Sequence, residues 1–385
     1  MRFAHISDLH LGKRFNAKPL IEEQRDILRK IRKIANEQKI DALLVAGDIY
    51  DKSIPSEEAV LIFDEFLTDI SSDGIQVLAI AGNHDSAERL AYASHLMKKA
   101  GVFVSPVYRG EAAKVTLQDE FGPVNIYLQQ FVKPADVRQY HPDETIDSYT
   151  DALQVCIQTM DINPDERNVL VAHQYVTSGE GENMWKADGC DSEEPSVGGL
   201  GNVDIRVFAP FDYVALGHLH RPQNCAGKDW VRYCGSPLKY SFSESDDKKT
   251  VTIVDMGTKG VIKYDRIELK PLRDLVDIRG RFAQVTDSGF YLGTSFQDDY
   301  VRIRLTDLQD IPNVKTKLES IYHNLVDWGY DRQAQSAAGE LPGGDAMKID
   351  PMELFETFFT AQNPAGMSDE QREYIKTQIE NIWKQ

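Results

Sequence analysis

Five of the nine histidines fall in short motifs that follow apolar runs. These are Asp8-Leu9-His10, Gly82-Asn83-His84-Asp85, Ala172-His173 and Gly217-His218-Leu219-His220, and Gly47-Asp48 is a motif of the same kind without a histidine. On an extended chain, residues i and i+2 face the same way. Asp8 and His10 are therefore expected to reach one ion together, and His218 and His220 a common site. The glycines before Asp48, Asn83 and His218 are expected to let the chain turn sharply where each strand ends. The donors are Asp8, His10, Asp48, Asn83, His173, His218 and His220. Seven are too many for one tetrahedral ion and suit two ions sharing a carboxylate. Oxygen and nitrogen donors without thiolate favour manganese or iron, with zinc as a further choice. An all-oxygen magnesium or calcium site fits poorly. Two ions ~3.5–4 Å apart activate a water and neutralise phosphoryl oxygens in an in-line displacement. One histidine after a strand is an ordinary core or surface residue. Five such motifs, all at strand ends, are not an ordinary pattern. His5, His95, His141 and His323 lie outside it and read as structural.

Strand-like runs at 2–7, 42–46, 76–81, 124–131, 169–172 and 213–216 must position these motifs. Several are apolar throughout, as in Ala42-Leu43-Leu44-Val45-Ala46, which suits strands covered on both faces. Between them Leu20, Ile21, Ile27, Leu28, Ile31, Ile34 and Ala35 recur at helical spacing. The alternation predicts a layered α/β core, in which ligands at strand carboxyl ends converge on one crevice. After residue 270 the composition shifts. Strands at 276–279, 300–305 and 325–330, with a helix carrying Val314, Leu318, Ile321 and Tyr322, predict a small α+β unit. A turn-rich stretch follows, then two short helices over 351–361 and 368–383, capped by Asp350 and Ser368. The expected organisation is a catalytic domain over 1–270, a cap over 271–333, a linker over 334–345 and a helix pair over 346–385.

With 43 basic and 61 acidic residues in 385, the net charge is −18, which disfavours blanket binding to nucleic acid. The charge is uneven, however. Residues 141–200 hold 13 acidic and 2 basic residues, while 13–39 hold nine basic and four acidic, and 259–281 seven basic and four acidic. Such basic segments can grip phosphates without reading sequence. No run reaches the roughly 18 apolar residues of a membrane span, and the start lacks a signal-peptide core. Cys156, Cys190, Cys225 and Cys234 are scattered and read as reduced thiols.

Taken together, the five motifs resemble the signature of calcineurin-like metallophosphoesterases. Their context narrows the resemblance. His5-Ile6-Ser7-Asp8-Leu9-His10-Leu11-Gly12, Ala46-Gly47-Asp48-Ile49-Tyr50-Asp51, Ala81-Gly82-Asn83-His84-Asp85-Ser86 and Tyr233-Cys234-Gly235-Ser236-Pro237-Leu238-Lys239-Tyr240-Ser241-Phe242-Ser243-Glu244 resemble the SbcD family, the nuclease subunit of the bacterial SbcCD complex. The resemblance implies a metallophosphoesterase β-sandwich flanked by helices, with an α+β cap and a C-terminal helix pair. It implies that Asp8, His10 and His220 hold one ion, that Asn83, His173 and His218 hold the other, and that Asp48 bridges them. His84 is then metal-free and faces the scissile phosphate. Asp51 stands where archaeal and eukaryotic relatives usually carry histidine, and is expected to orient His84. Asp85 and Arg89 are expected to brace the loop.

The same resemblance implies a manganese-dependent, ATP-linked 3′-to-5′ double-strand exonuclease and single-strand or hairpin endonuclease of DNA recombination, replication and repair. It also implies a cytoplasmic, nucleoid-associated homodimer, with helices 57–70 and 87–100 pairing between copies. The last helices carry two apolar faces, Leu354, Phe355, Phe358 and Phe359, then Tyr374, Ile375, Ile379, Ile382 and Trp383. A tail of this size cannot bury both in a core of its own. In the family its partner is the coiled-coil base of the SbcC ATPase. The rival readings are a phosphomonoesterase or cyclic-nucleotide phosphodiesterase of the same fold, and a non-catalytic scaffold that keeps the fold.

Overall fold

Short apolar runs ending in glycine-bearing turns make the framework. In the computed structural model, β1 (Arg2–Ile6), β2 (Ala42–Ala46), β3 (Gln76–Ile80) and β4 (Val102–Val104) lie side by side in parallel. The chain then crosses to a second sheet. There β5 (Ala113–Asp119) and β6 (Gly122–Gln129) form a hairpin, followed by β7 (Arg167–His173), β8 (Tyr213–Gly217), β9 (Gln223–Cys225) and β10 (Lys228–Tyr233). It returns as β11 (Thr250–Met256) and β12 (Ile262–Glu268), which extend the first sheet antiparallel beside β1. The two sheets run β12-β11-β1-β2-β3-β4 and β9-β10-β8-β7-β6-β5. The structure describes residues 1–15, 18–179, 184–193, 201–331, 352, 355–356, 359–360, 363 and 366–383, the last with side chains to 376.

Strand alternation explains the wholly apolar runs. Ala42, Leu44 and Ala46 join Val169, Val171, Tyr213 and Ala215 in the core between the sheets. Leu43 and Val45 are equally buried and point to the other face, where α1 (Ile21–Glu37) and α2 (Glu57–Ser72) bring Ile27, Ile31, Ile62, Phe63 and Phe66. The outer face of the second sheet packs Leu170, Ala172, Val214 and Leu216 against α3 (Tyr149–Gln158).

Two expectations change here. The stretch 87–100 is not one helix. It breaks into Ala87–Leu90, Ser94–Met97 and a 3-10 turn at Lys98–Ala100, because Ala93 sits at φ +59°. The apolar period carries no sign of that break, since no glycine or proline marks it. The basic face of α1 is also largely answered from within. Arg25 pairs with Glu65, Arg32 with Asp69 and Asp73, Lys30 and Arg29 with Asp26, Lys33 with Glu37, and Lys13 with Asp51. Much of the charge at 13–39 thus joins α1 to α2 and to its own turns.

The chain divides into two units, Met1–Leu275 and Val276–Gln385. The second is built on β13 (Leu275–Gly280), β14 (Tyr300–Leu305), β15 (Asn324–Tyr330) and α4 (Val314–Ile321). Val301, Ile303 and Leu305 point into its core with Ile278, Val314, Leu318 and Tyr322. The alternate residues Arg302 and Arg304 pair across the sheet with Asp277 and Asp327. Residues 332–350, which include the expected linker, lie outside the described residues. The final helix, α5 (Asp369–Trp383), is capped by Ser368, whose Oγ accepts from the Gln371 amide at 3.3 Å. All four cysteines are free.

At the end of the sandwich away from the motifs, Arg167 donates to both oxygens of Asp119, and the side chains are only 3% and 15% exposed. This hydrogen-bonded pairing holds the Asp119 carboxyl well below the ordinary carboxylate range. Asp119→Asn should therefore destabilise the chain by roughly 3 kcal/mol in urea titrations at pH 7. The deficit should shrink as pH falls below about 4, where Asp119 of the unfolded wild-type chain takes up a proton while the folded carboxylate is still charged, so the advantage of the pair declines towards the lowered folded value.

Candidate metal centre

The parallel strands β1, β2 and β3 of one sheet and β7 and β8 of the other all deliver their carboxyl ends to the same edge of the sandwich. Each motif begins where its strand stops. Pairing between the first two continues past the strands, with the amides of Asp8, His10 and Leu11 donating to the carbonyls of Gly47, Asp48 and Ile49 at 3.0, 3.0 and 2.9 Å. The chain here is curled rather than extended. Asp8, His10, Asp48 and His218 have φ of +54°, +43°, +51° and +104°. The expected i, i+2 alternation therefore does not unite Asp8 with His10, and left-handed turns do. His218 and His220 likewise face different neighbours. Such conformations cost on the order of 1–3 kcal/mol each and persist only where surrounding bonds hold them.

The three glycines serve two purposes. Gly47 turns the chain, at φ +86°. Gly82 and Gly217 instead permit close approach. A Cβ on Gly82 would lie 2.1 Å from Asp48 Oδ1, and one on Gly217 only 1.9 Å from the Ala46 carbonyl oxygen.

All seven expected donors meet at this edge. His10 Nε2 lies 3.1 Å from His220 Nε2, and Asp8 completes a cluster with them. Asn83 Oδ1 lies 3.0 Å from His173 Nε2 and 3.1 Å from His218 Nδ1. Between these groups, Asp48 Oδ2 is 3.3 Å from His173 Nε2 and 3.8 Å from His10 Nε2. The other Asp48 oxygen accepts from the His84 amide at 2.9 Å. Both Asp8 oxygens face the His218 amide, at 3.1 and 3.2 Å. His173 Nδ1 lies 2.8 Å from the Ala46 carbonyl, which only accepts, so the proton sits on Nδ1 and Nε2 faces inward.

Burial governs the electrostatics. It pushes His10 well below its ordinary value and His218 down to about 3, leaving neutral imidazoles with available lone pairs. It pushes Asp8 up to about 6. Burial, the largest single effect, would raise Asp48 too, but the charge and hydrogen bond of His173 together with His10 and His84 overcome it and hold that carboxyl well below the usual range. His173, which burial alone would lower, is drawn up to about 9 by Asp48. Inward-facing oxygens and imidazole nitrogens crowded within hydrogen-bonding distance form a donor set that suits divalent cations.

His84 is 20% exposed, with Nε2 4.0 Å from Asp48 Oδ2. It also groups with His10 and Asp48 closely enough to share an ion. Its Nδ1 lies 3.1 Å from the main-chain carbonyl of Asp51. The Asp51 carboxylate points elsewhere, 3.0 Å from Lys13 Nζ and 3.9 Å from His10 Nδ1. So the backbone at Asp51, not its side chain, orients His84. Asp85 accepts from the amides of Ile49, Tyr50 and Gly82 at 3.1, 2.9 and 3.0 Å, tying two motif loops together. Arg89 is exposed in the short helix that Ser86 caps. Sequence reasoning passed over an outer layer around His220, formed by Ser192, Glu193, Glu244 and Lys249. Glu244 closes one of the motif strings, the only sequence signal for it.

In the tail, Phe355 and Phe359 stack, and with Met367, Tyr374 and Ile375 they line an apolar groove. Leu354 and Phe358, and the side chains of Ile379, Ile382 and Trp383, lie outside the described residues. Among the described residues no helix is long and apolar enough to cross a membrane.

Strand-end donors on a two-sheet α/β sandwich define a metallophosphoesterase. The chain belongs to the calcineurin-like phosphoesterase family, whose model matches residues 1–222. The expected kinship with the SbcD family is borne out. The model SbcD_C, described as the type 5 capsule protein repressor C-terminal domain, matches residues 271–363. The SbcD subunit of the SbcCD nuclease of Staphylococcus epidermidis is 29% identical over 383 residues, 98% of this chain and 97% of that protein. A dimetal phosphatase from Danio rerio aligns with 70% of this chain and 98% of its own, at 11% identity and a TM-score of 0.39. The chain is a phosphodiester hydrolase, and its fold implies divalent metals.

Gly82→Ala should displace Asp48 while leaving the sheets intact. Calorimetric titration with Mn2+ should show affinity at least about tenfold weaker, with an unchanged far-ultraviolet circular dichroism spectrum.

Proposed function

We propose that this chain is the nuclease subunit of an SbcCD-type complex and cleaves phosphodiester bonds in DNA. The observation that carries this reading is the convergence of seven oxygen and nitrogen donors from five strand ends, beside the partly exposed His84. In this reading Asp8, His10 and His220 hold one cation, Asn83, His173 and His218 hold a second, and Asp48 serves both. The donor set favours Mn2+. Bound there, two such ions supply positive charge for the phosphoryl oxygens and an acidified water.

The chain's own residues do the rest. His84 gives its Nδ1 proton to the Asp51 carbonyl, which turns Nε2 toward the centre. In the imidazolium form, Nε2 can pass a proton to the leaving oxygen. Asp85 keeps the loops carrying Asp48 and Asn83 at fixed spacing through its three amide bonds. Arg89 and the Asp51 carboxylate support this loop region from outside.

The name and length of the Staphylococcus relative support assembly with an SbcC-type ATPase. We assign that contact to the C-terminal helices, through Leu354, Phe355, Phe358, Phe359, Ile375, Ile379, Ile382 and Trp383. The family precedent also supports a homodimer, a cytoplasmic location, 3′-to-5′ exonuclease action on duplex ends and endonuclease action on single strands and hairpins. The domain plan in this reading is nuclease 1–270, cap 271–333, linker 334–345 and partner-binding helices 346–385.

End-labelled duplex and hairpin DNA should be degraded only when Mn2+ is supplied, and faster than a nitrophenyl phosphate monoester. Preference for the monoester would instead favour a phosphomonoesterase. His84→Ala should slow DNA cleavage by at least about 100-fold yet keep two Mn2+ per chain. Loss of metal along with activity would make His84 a ligand. Deleting residues from Ala346 onward should abolish co-purification with the ATPase and spare intrinsic nuclease activity, and intact co-purification would refute the docking assignment.

A further inference from the structure

Each imidazole of the centre needs its outer nitrogen dealt with before its inner one can serve a cation. A main-chain carbonyl does this for His173, at 2.8 Å. His10 Nδ1 has no hydrogen-bond partner. His220 is treated differently. Its Nδ1 lies 2.8 Å from Ser192 Oγ, which in turn lies 2.8 Å from Glu244 Oε1. The other Glu244 oxygen receives Lys249 Nζ at 2.5 Å. Glu244 and Lys249 are 0% and 3% exposed, so this is an ion pair taken out of water. Lys249 also donates to the His220 carbonyl at 2.9 Å and to Ser236 Oγ at 3.1 Å. Glu193 accepts from the His220 amide at 2.6 Å.

The direction of the bonds follows from what each atom can do. An ionised carboxylate only accepts, so Ser192 gives its hydroxyl proton to Glu244. Ser192 must then accept from His220 Nδ1, which places the imidazole proton there. That leaves His220 Nε2 as a lone pair facing His10 Nε2. A buried ion pair brings little net stability of its own, and here both partners bond to the same histidine or to the hydroxyl that touches it.

We propose that Ser192, Glu244 and Lys249 form a positioning relay that fixes the tautomer, orientation and donor strength of His220 as a metal ligand. This rests on the reading of His220 as a ligand given above. The relay also ties one cation to a segment, Ser192–Glu193, that is remote in sequence from every motif. Ser192 and Glu244 act through His220 and touch no substrate.

The test is calorimetric titration of the full chain with Mn2+ alone, with bound ions counted by electron paramagnetic resonance. Wild-type chain should bind two ions, and fewer would withdraw both the ligand reading and the relay. Given two, Ser192→Ala should weaken one of them by about 10–100-fold and leave the other unchanged. Ser192→Thr, which keeps the hydroxyl, should restore it. Glu244→Gln alone strands the buried Lys249 charge and puts folding at risk, so Glu244→Gln with Lys249→Met removes both charges together. That double variant should regain the wild-type melting temperature without metal and still bind one ion weakly. Wild-type affinity for both ions in Ser192→Ala, or in the folded double variant, would overturn the relay and reduce the pair to packing.

Discussion

The hydrogen bond between His173 Nδ1 and the Ala46 carbonyl joins the two sheets where their strands end. It spans the interior, from the last residue of β7 to the last residue of β2. No side chain fits between the sheets at this point, because a Cβ on Gly217 would strike that same carbonyl and one on Gly47 would meet His173. The sandwich is therefore closed at one edge by main chain and imidazole rather than by apolar packing. Every other donor depends on that spacing. Asp48 follows Ala46 by two residues, His218 follows Gly217, and Asn83 reaches both His173 and His218. A shift of one sheet along the other would separate the two halves of the donor set. The apolar core between the sheets, with Phe3, Leu44, Val171 and Tyr213, holds the alignment that this edge requires.

Charge is arranged in the same spirit. The acidic excess that argued against nucleic acid is concentrated in 141–200. The basic stripe of α1 looked like a counterweight available to phosphate, but most of it is engaged with acids of α1, α2 and nearby turns. The paired charge of α1 therefore offers little to a phosphate backbone.

The fold was legible because its signals are local. An apolar run of five, then glycine and an acid or histidine, reads as a strand end from sequence alone, and β2 matches its expected span residue for residue. Position in the site was less legible. Asp8 and His10 were rightly grouped, but by the wrong geometry, since left-handed turns leave no trace in spacing when the residue is not glycine. Asp51 was expected to orient His84, but that its carbonyl rather than its carboxylate does so could not be read, because main-chain roles are invisible in side-chain identity. Ser192, Glu244 and Lys249 went unnoticed for a different reason. They are ordinary surface types, and His220 lies 28 residues from Ser192. Only the folded chain brings them together.

The left-handed residues of the centre have a consequence for the protein's lifetime. Asp8, His10, Asp48 and His218 hold an uphill backbone that the folded state must sustain and the unfolded chain does not. An ion that binds only the folded arrangement stabilises it by mass action, more so as its free concentration rises above the dissociation constant. Folding and metal supply are then linked equilibria. In a cell short of the ion, the chain would lose activity and resistance to proteolysis together, so the pool of intact protein would itself report the availability of the metal.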